Sequence, residues 1–149
     1  MTDEQLQQTL RERGLRATPQ RILIHRALAE LGRHASAEEV LARVEPRLPN
    51  ASLPTVYATL ELLEELGIAR RIAASSGPTL WDPRAERHHH LVCRSCGAVE
   101  DLDVTIEPGR ALRAARRRGF RPDDAELVVS GLCGRCQTQR HGSDARQPR

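Results

Sequence analysis

Cys93 and Cys96 are separated by two residues, and Cys133 and Cys136 repeat the spacing; these are the chain's four cysteines. Two intervening residues let both sulfurs of a tight knuckle reach one ion, so the pair of knuckles supplies four thiolates with none left over. Four soft ligands in a closed site suit a structural Zn²⁺. Redox knuckles or buried free thiols are the alternatives, and the matched spacing without an odd cysteine favours the metal. Just before the first knuckle stands His88-His89-His90, with Asp82 upstream and Asp101 downstream. On a strand, His88 and His90 share one face and His89 takes the other. Asp82 is placed at the end of the preceding strand and Asp101 at the end of the return strand, within reach of both imidazoles. His34 lies far away in sequence, between two helices. Two or three imidazoles with two carboxylates suit Fe²⁺, Mn²⁺ or Zn²⁺ better than Ca²⁺ or a thiolate metal. A polar histidine run on a surface is the plain alternative. A ligand from the first half would tie the halves together, which a metal-gated switch needs.

The elements that must position these residues change character near Gly67. Leu6 and Leu10 mark a first helix that ends at Gly14. Thr18-Pro19 is an N-cap followed by a first-turn proline, and Ile22, Leu23, Ala27, Leu28 and Leu31 give the next helix its apolar face, ended by Gly32. Ser36 with Glu39 is a capping box for a third helix carrying Val40, Leu41 and Val44. Ser52-Leu53-Pro54-Thr55 starts a fourth, with Val56, Leu60, Leu63 and Leu66 inward and Gly67 at its end. Short strands follow at 68–72 and 79–81, around a turn at Ser75-Ser76-Gly77-Pro78. Helices followed by a hairpin make a winged helix-turn-helix, with the helix before the hairpin presented to a major groove. Tyr57, on the first turn of that helix near Ser52 and Thr55, reads as exposed toward a partner; core packing is the alternative. The second half reads as strands at 88–92, 99–102 and 126–130 with a basic helix at 108–118. This small α+β unit needs its metal or a partner to be stable. The domain reading is therefore a DNA-binding unit at 1–82, a hinge at 83–87, a zinc-containing unit at 88–136 and a disordered polar tail at 137–149.

Composition narrows the class. The chain has 149 residues, 39% of them hydrophobic, with one Trp, one Tyr and one Phe. No apolar stretch approaches the roughly 20 residues of a membrane span. MTDEQLQQTL lacks a basic start followed by an apolar run, so no secretory leader is expected, and the cysteines are expected to be reduced in a cytoplasm. The formal charge is +3, and every basic residue is Arg. Through Leu80, ten arginines balance ten acids, yet Arg11, Arg13, Arg16, Arg21 and Arg26 have only Glu12 within their span. That local excess suits phosphate, with a solvated helix face as the alternative.

Thr18-Pro19-Gln20-Arg21, Thr55-Val56-Tyr57, the run from His88 through Cys93, the knuckle Cys93-Arg94-Ser95-Cys96-Gly97, and Gly131-Leu132-Cys133-Gly134-Arg135-Cys136 together resemble the ferric uptake regulator (Fur) family, in family order from about Leu6 to Cys136. The resemblance implies a homodimeric, metal-dependent transcriptional repressor whose N-terminal winged helix binds operator DNA and whose C-terminal domain dimerises around zinc. In the peroxide-sensing (PerR) branch the regulatory ligands are three His and two Asp, which fall here on His34, Asp82, His88, His90 and Asp101. The iron-sensing branch more often has Glu at the two carboxylate positions, and the zinc-sensing branch often has a Cys near Asp82. An accessory metal site of some members is not supported, because Arg87, Pro108 and Ala125 stand where it would want His or carboxylate. Ala58 stands where members often carry Arg directly after the recognition Tyr.

The expectation is a winged-helix repressor with a structural Zn²⁺ on Cys93, Cys96, Cys133 and Cys136 and a regulatory Fe²⁺ or Mn²⁺ on the His/Asp set. Arg16, Ser52, Thr55 and Tyr57 are expected on DNA. The resemblance further implies that peroxide oxidises His34 or His88 in the Fe²⁺ form and releases DNA. Three rivals stand beside it: a sensor of iron, manganese or zinc levels on the same scaffold, a metallohydrolase, and a zinc-ribbon-like interaction module. The hydrolase lacks a general base outside the ligands. The interaction module leaves His34, Asp82 and Asp101 without a role.

Overall fold

Four hydroxyl side chains start the four helices of the first half. Thr2 caps α1 (Asp3–Glu12), Thr18 caps α2 (Pro19–Leu31), Ser36 caps α3 (Ala37–Val44) and Ser52 caps α4 (Leu53–Glu65), each accepting from a backbone N–H in the first turn. In α1 and α3 the box is complete, with Gln5 and Glu39 returning the bond to the cap's backbone. These residues belong to the first of two compact units, Met1–Ala85 and Glu86–Arg149, in a computed structural model that describes residues 1–72, 78–84 and 86–143.

The first unit's core gathers one face of each helix: Leu6 and Leu10, Ile24 and Leu28, Val40 and Val44, and Val56, Leu60 and Leu63, all essentially fully buried. Trp81 joins them from β3 (Leu80–Asp82), which lies between β1 (Ala35–Ser36) and β2 (Arg70–Ile72) in an antiparallel sheet. Helices with this small sheet form the winged helix-turn-helix. The strand expected to begin at Ile68 begins at Arg70, because the Ile68 and Ala69 N–H groups donate to the Leu63 carbonyl and extend the end of α4. Residues 75–77 of the expected turn lie outside the described residues. Two-residue β1 has no counterpart in the sequence reading.

His25 is buried on α2 among this core. Burial first, then the charge of the N-terminal amine, lowers its pKa, against an opposing pull from Asp3. The folded state therefore disfavours the protonated ring. Stability is full above the unfolded value of about 6.5 and is lost as pH falls through it toward the lower folded value. Thermal melts should show wild type losing more between pH 7.5 and 5.5 than His25→Gln. An equal loss in both would mean that His25 does not carry this dependence.

The second unit is a sheet ordered β5-β4-β6, where β4 (His89–Cys93) is central, β5 (Val99–Leu102) antiparallel to it and β6 (Val128–Gly131) parallel. Helix α5 (Gly109–Arg117) buries no residue, and α6 (Gly134–Ser143) ends the described chain. Residues 137–143 are helical where a disordered tail was expected. Cys136 in the first turn anchors α6, and the Gln137 N–H donates to the Cys133 carbonyl (3.0 Å), so a polar segment is nucleated by its attachment to the cage. Residues 144–149 lie outside the described residues, as does Ala85 of the expected hinge; Pro83, Arg84, Glu86 and Arg87 form neither helix nor strand.

Candidate metal centres and nucleic-acid surface

Parallel pairing of β4 with β6 sets Cys93 opposite Gly131 and so brings the second knuckle to the first. The Cys133 N–H donates to Cys93 Sγ (3.3 Å), and Cys96 Sγ lies 3.8 Å from Cys133 Sγ. All four sulfurs fall within 4.8 Å of one another, as free thiols. A regular tetrahedron with Zn–S bonds of about 2.3 Å has S···S edges of about 3.8 Å, so the cage has the size zinc needs. Backbone N–H groups, that of Cys133 foremost and then those of Cys96 and Ser95, pull the Cys93 thiol down to about 6. A thiolate at neutral pH is the form a metal takes.

The imidazoles and carboxylates occur in both units. In the first, antiparallel pairing of Ala35 with Trp81 makes His34 and Asp82 the next cross-strand neighbours. His34 Nε2 is 3.4 Å from Asp82 Oδ2, with both side chains nearly buried. The surrounding loop is held locally. Gly32 ends α2 at φ 61°, a left-handed turn suited to glycine, and the Arg33 guanidinium donates to the His34 carbonyl (2.9 Å) while pairing with the capping Glu39 (2.6 Å). Asp82 Oδ1 accepts from the Arg84 N–H (2.8 Å).

In the second unit, Asp101 on β5 pairs across from His90 on β4. His88, one residue ahead of β4, places Nε2 3.0 Å from Asp101 Oδ1 and Nδ1 2.9 Å from the Glu86 carbonyl. The His88 and His90 rings stand 4.5 Å apart, centroid to centroid. His89 is turned to other work, its Nδ1 accepting from the Leu127 N–H (3.2 Å). His90 is 1% exposed, and its Nδ1 lies 2.8 Å from Glu126 Oε1. Sequence reasoning took Glu126 only as the start of a strand at 126–130 and gave its side chain no role; the strand begins at Val128, and Glu126 lies just ahead of it. Asp82 and His90 are donors taken out of water, and such groups are tolerated when charge or hydrogen bonds compensate them. The donor types fit a divalent ion such as Fe²⁺ or Mn²⁺, as the thiolates fit zinc.

The residues expected on DNA all lie in the first unit. A cleft of about 630 Å³ is walled by Arg16, Thr18, Gln20, Arg21, Thr55 and Ala58, among others. Arg16 and Ser52 are exposed, and the Ser52 and Thr55 hydroxyls are hydrogen-bonded to each other at 2.9 Å. Tyr57 departs from the expectation of exposure: it is half-buried and packed against the core, while Ala58 beside it is exposed. The 100° step of the helix turns Tyr57 toward the hydrophobic side that Val56 and Leu60 already face. Arg21 belongs to the arginine excess read as suited to phosphate, whereas Thr18 and Gln20 were not singled out as contacts, because Thr18 reads first as a cap.

The model of the ferric uptake regulator family matches residues 12–130. The chain belongs to this family. It is 38% identical over 120 residues to ferric uptake regulation protein 1 of Mycolicibacterium fortuitum, covering 80% of this chain and 74% of that one. It is 28% identical over 129 residues to the peroxide-responsive repressor PerR of Staphylococcus aureus, covering 87% of each. Among solved structures, the ferric uptake regulator of Helicobacter pylori, described as having three functional metal binding sites, superposes with a TM-score of 0.75 at 23% identity over 90% of both chains. Membership makes this protein a metal-responsive transcriptional regulator and not an enzyme. The metallohydrolase reading is thereby set aside. No helix among the described residues is long and apolar enough to cross a membrane.

Proposed function

We propose that the protein is a cytoplasmic homodimeric repressor that binds operator DNA when His34, Asp82, His88, His90 and Asp101 together hold one Fe²⁺ or Mn²⁺ per subunit, and that it senses peroxide through the Fe²⁺ form. Cys93, Cys96, Cys133 and Cys136 hold the structural zinc. Arg16 supplies phosphate contact, Ser52 and Thr55 face the groove, and Tyr57 contributes from its half-buried position. Dimerisation is supported by the second unit's own shortage of core. Leu91, Val128 and Val129 are exposed on its sheet and Leu127 just ahead of it, Phe120 is 70% exposed, and α5 buries no residue. Apolar surface of this kind is what a partner copy covers.

The observation that carries peroxide sensing is that both carboxylates are Asp, short ligands that leave more room at the ion than Glu. His34 and His88 each hold a ring against one of these carboxylates, at 3.4 and 3.0 Å. Bound Fe²⁺ would supply the electrons that cleave peroxide. In the net reaction one oxygen enters an imidazole C–H bond and the other leaves as water. The oxidised ring is a poorer donor, the ligand set falls apart, and DNA is released. A second reading, iron-level sensing without peroxide response, is favoured by the higher identity to the iron-uptake relative.

The test uses a duplex selected from a random pool in the presence of Mn²⁺. Mild peroxide should add one oxygen, read by peptide mass spectrometry, to His34 or His88 of the Fe²⁺ protein and abolish binding. The Mn²⁺ protein should show neither change. Asp101→Glu should keep metal-dependent binding and blunt the response. Unmodified histidines with oxidised cysteines and lost zinc would instead establish the metal-level sensor.

A further inference from the structure

We infer that Glu126 is a positioning residue for the regulatory metal, acting through His90. The inference rests on the His/Asp site proposed above, and it adds a residue outside that ligand set. Glu126 Oε1 lies 2.8 Å from His90 Nδ1, and His90 is 1% exposed. An ionised carboxylate only accepts, so the bond places the ring proton on Nδ1 and makes Nε2 the nitrogen with a lone pair to give. The contact is built into the sheet. The His90 N–H donates to the Leu127 carbonyl (3.0 Å), His90 pairs with Val128 across β4 and β6, and the Leu127 N–H donates to His89 Nδ1. The chain just before β6 is thus fastened to both histidines, and the Glu126 side chain meets the one that faces the site.

His88 follows the same scheme with a weaker partner. Its Nδ1 is set on the Glu86 carbonyl at 2.9 Å, and its Nε2 is turned to Asp101. His88 and His90 therefore offer the same nitrogen. His90 is backed by a charge, which orients the ring and raises its basicity toward a cation; loss of such a partner costs 10- to 100-fold in metal affinity in other proteins.

Mn²⁺ titration of the zinc-loaded full chain, with free Mn²⁺ read by electron paramagnetic resonance, tests this. Glu126→Ala should weaken Mn²⁺ binding about 10- to 100-fold. Glu126→Gln, which keeps an acceptor of the same shape without the charge, should recover part of the loss. Zinc content and circular dichroism should be those of wild type in both. If Glu126→Ala binds like wild type while His90→Ala does not, the inference is overturned and the metal site stands. If His90→Ala also binds like wild type, the site itself is overturned. Should Glu126→Ala lose zinc or fold, Glu126→Gln decides: weakened binding in a native fold supports the role, and unchanged binding removes it.

Discussion

Cys96→Ser is expected to lose its zinc and to sediment as a monomer. The serine oxygen is a poor zinc ligand at neutral pH, leaving three thiolates on two knuckles. Structural zinc supplies folding free energy, on the order of 10 kcal/mol in small peptides. The second unit has little with which to replace it. Among its described apolar side chains only Val92, Cys93 and Cys136 are buried, so the cage is itself much of the core. The knuckles also hold the strand order, since Cys133 N–H to Cys93 Sγ continues the β4–β6 pairing past Gly131. Losing the ion should free the edge that carries Val128 and Val129, part of the surface proposed to meet the second copy. A zinc-free variant that sediments as a stable dimer would end the structural assignment of the cysteines.

His34→Ala is expected to retain zinc, fold and dimer while losing the Mn²⁺-dependent part of DNA affinity. His34 stands just before β1, where its carbonyl accepts from the Arg33 guanidinium (2.9 Å) and its ring lies 3.4 Å from Asp82 Oδ2. On the proposed ligand set, removing His34 takes one donor from the first unit and leaves Asp82 as that unit's other donor. Coupling between two sites typically amounts to 5- to 150-fold in affinity. The variant should therefore bind the selected duplex with Mn²⁺ about as weakly as wild type does without it. Wild-type affinity in His34→Ala would place the switch elsewhere.

Much of this architecture is legible in the residues because it rests on local chemistry. Thr18-Pro19, Ser36 with Glu39, and Ser52 announce helix starts, and each hydroxyl makes its capping bond. The thiolate spacing announces the cage. What was missed depends on contacts distant in sequence. Two-residue β1 has no periodicity to detect, and Ser36 belongs both to that strand and to the cap of α3. Yet this pairing is what sets His34 against Asp82. Glu126 meets His90 across 36 residues through a parallel crossover that no local pattern encodes. Tyr57 was placed outward by its position on a first turn, whereas the helix phase leaves it half-buried against the edge of the core. Helical residues 137–143 were hidden by polar composition, because their helix begins at a metal knuckle rather than on an apolar face.

The central claim is that one metal site per subunit is thermodynamically linked to DNA binding, and linkage is reciprocal. The most direct measurement is Mn²⁺ affinity of the zinc-loaded protein, free and saturated with the selected duplex. The duplex should tighten Mn²⁺ binding by the same factor, about 5- to 150-fold, by which Mn²⁺ tightens DNA binding. Mn²⁺ affinity unaffected by saturating DNA would contradict the linkage.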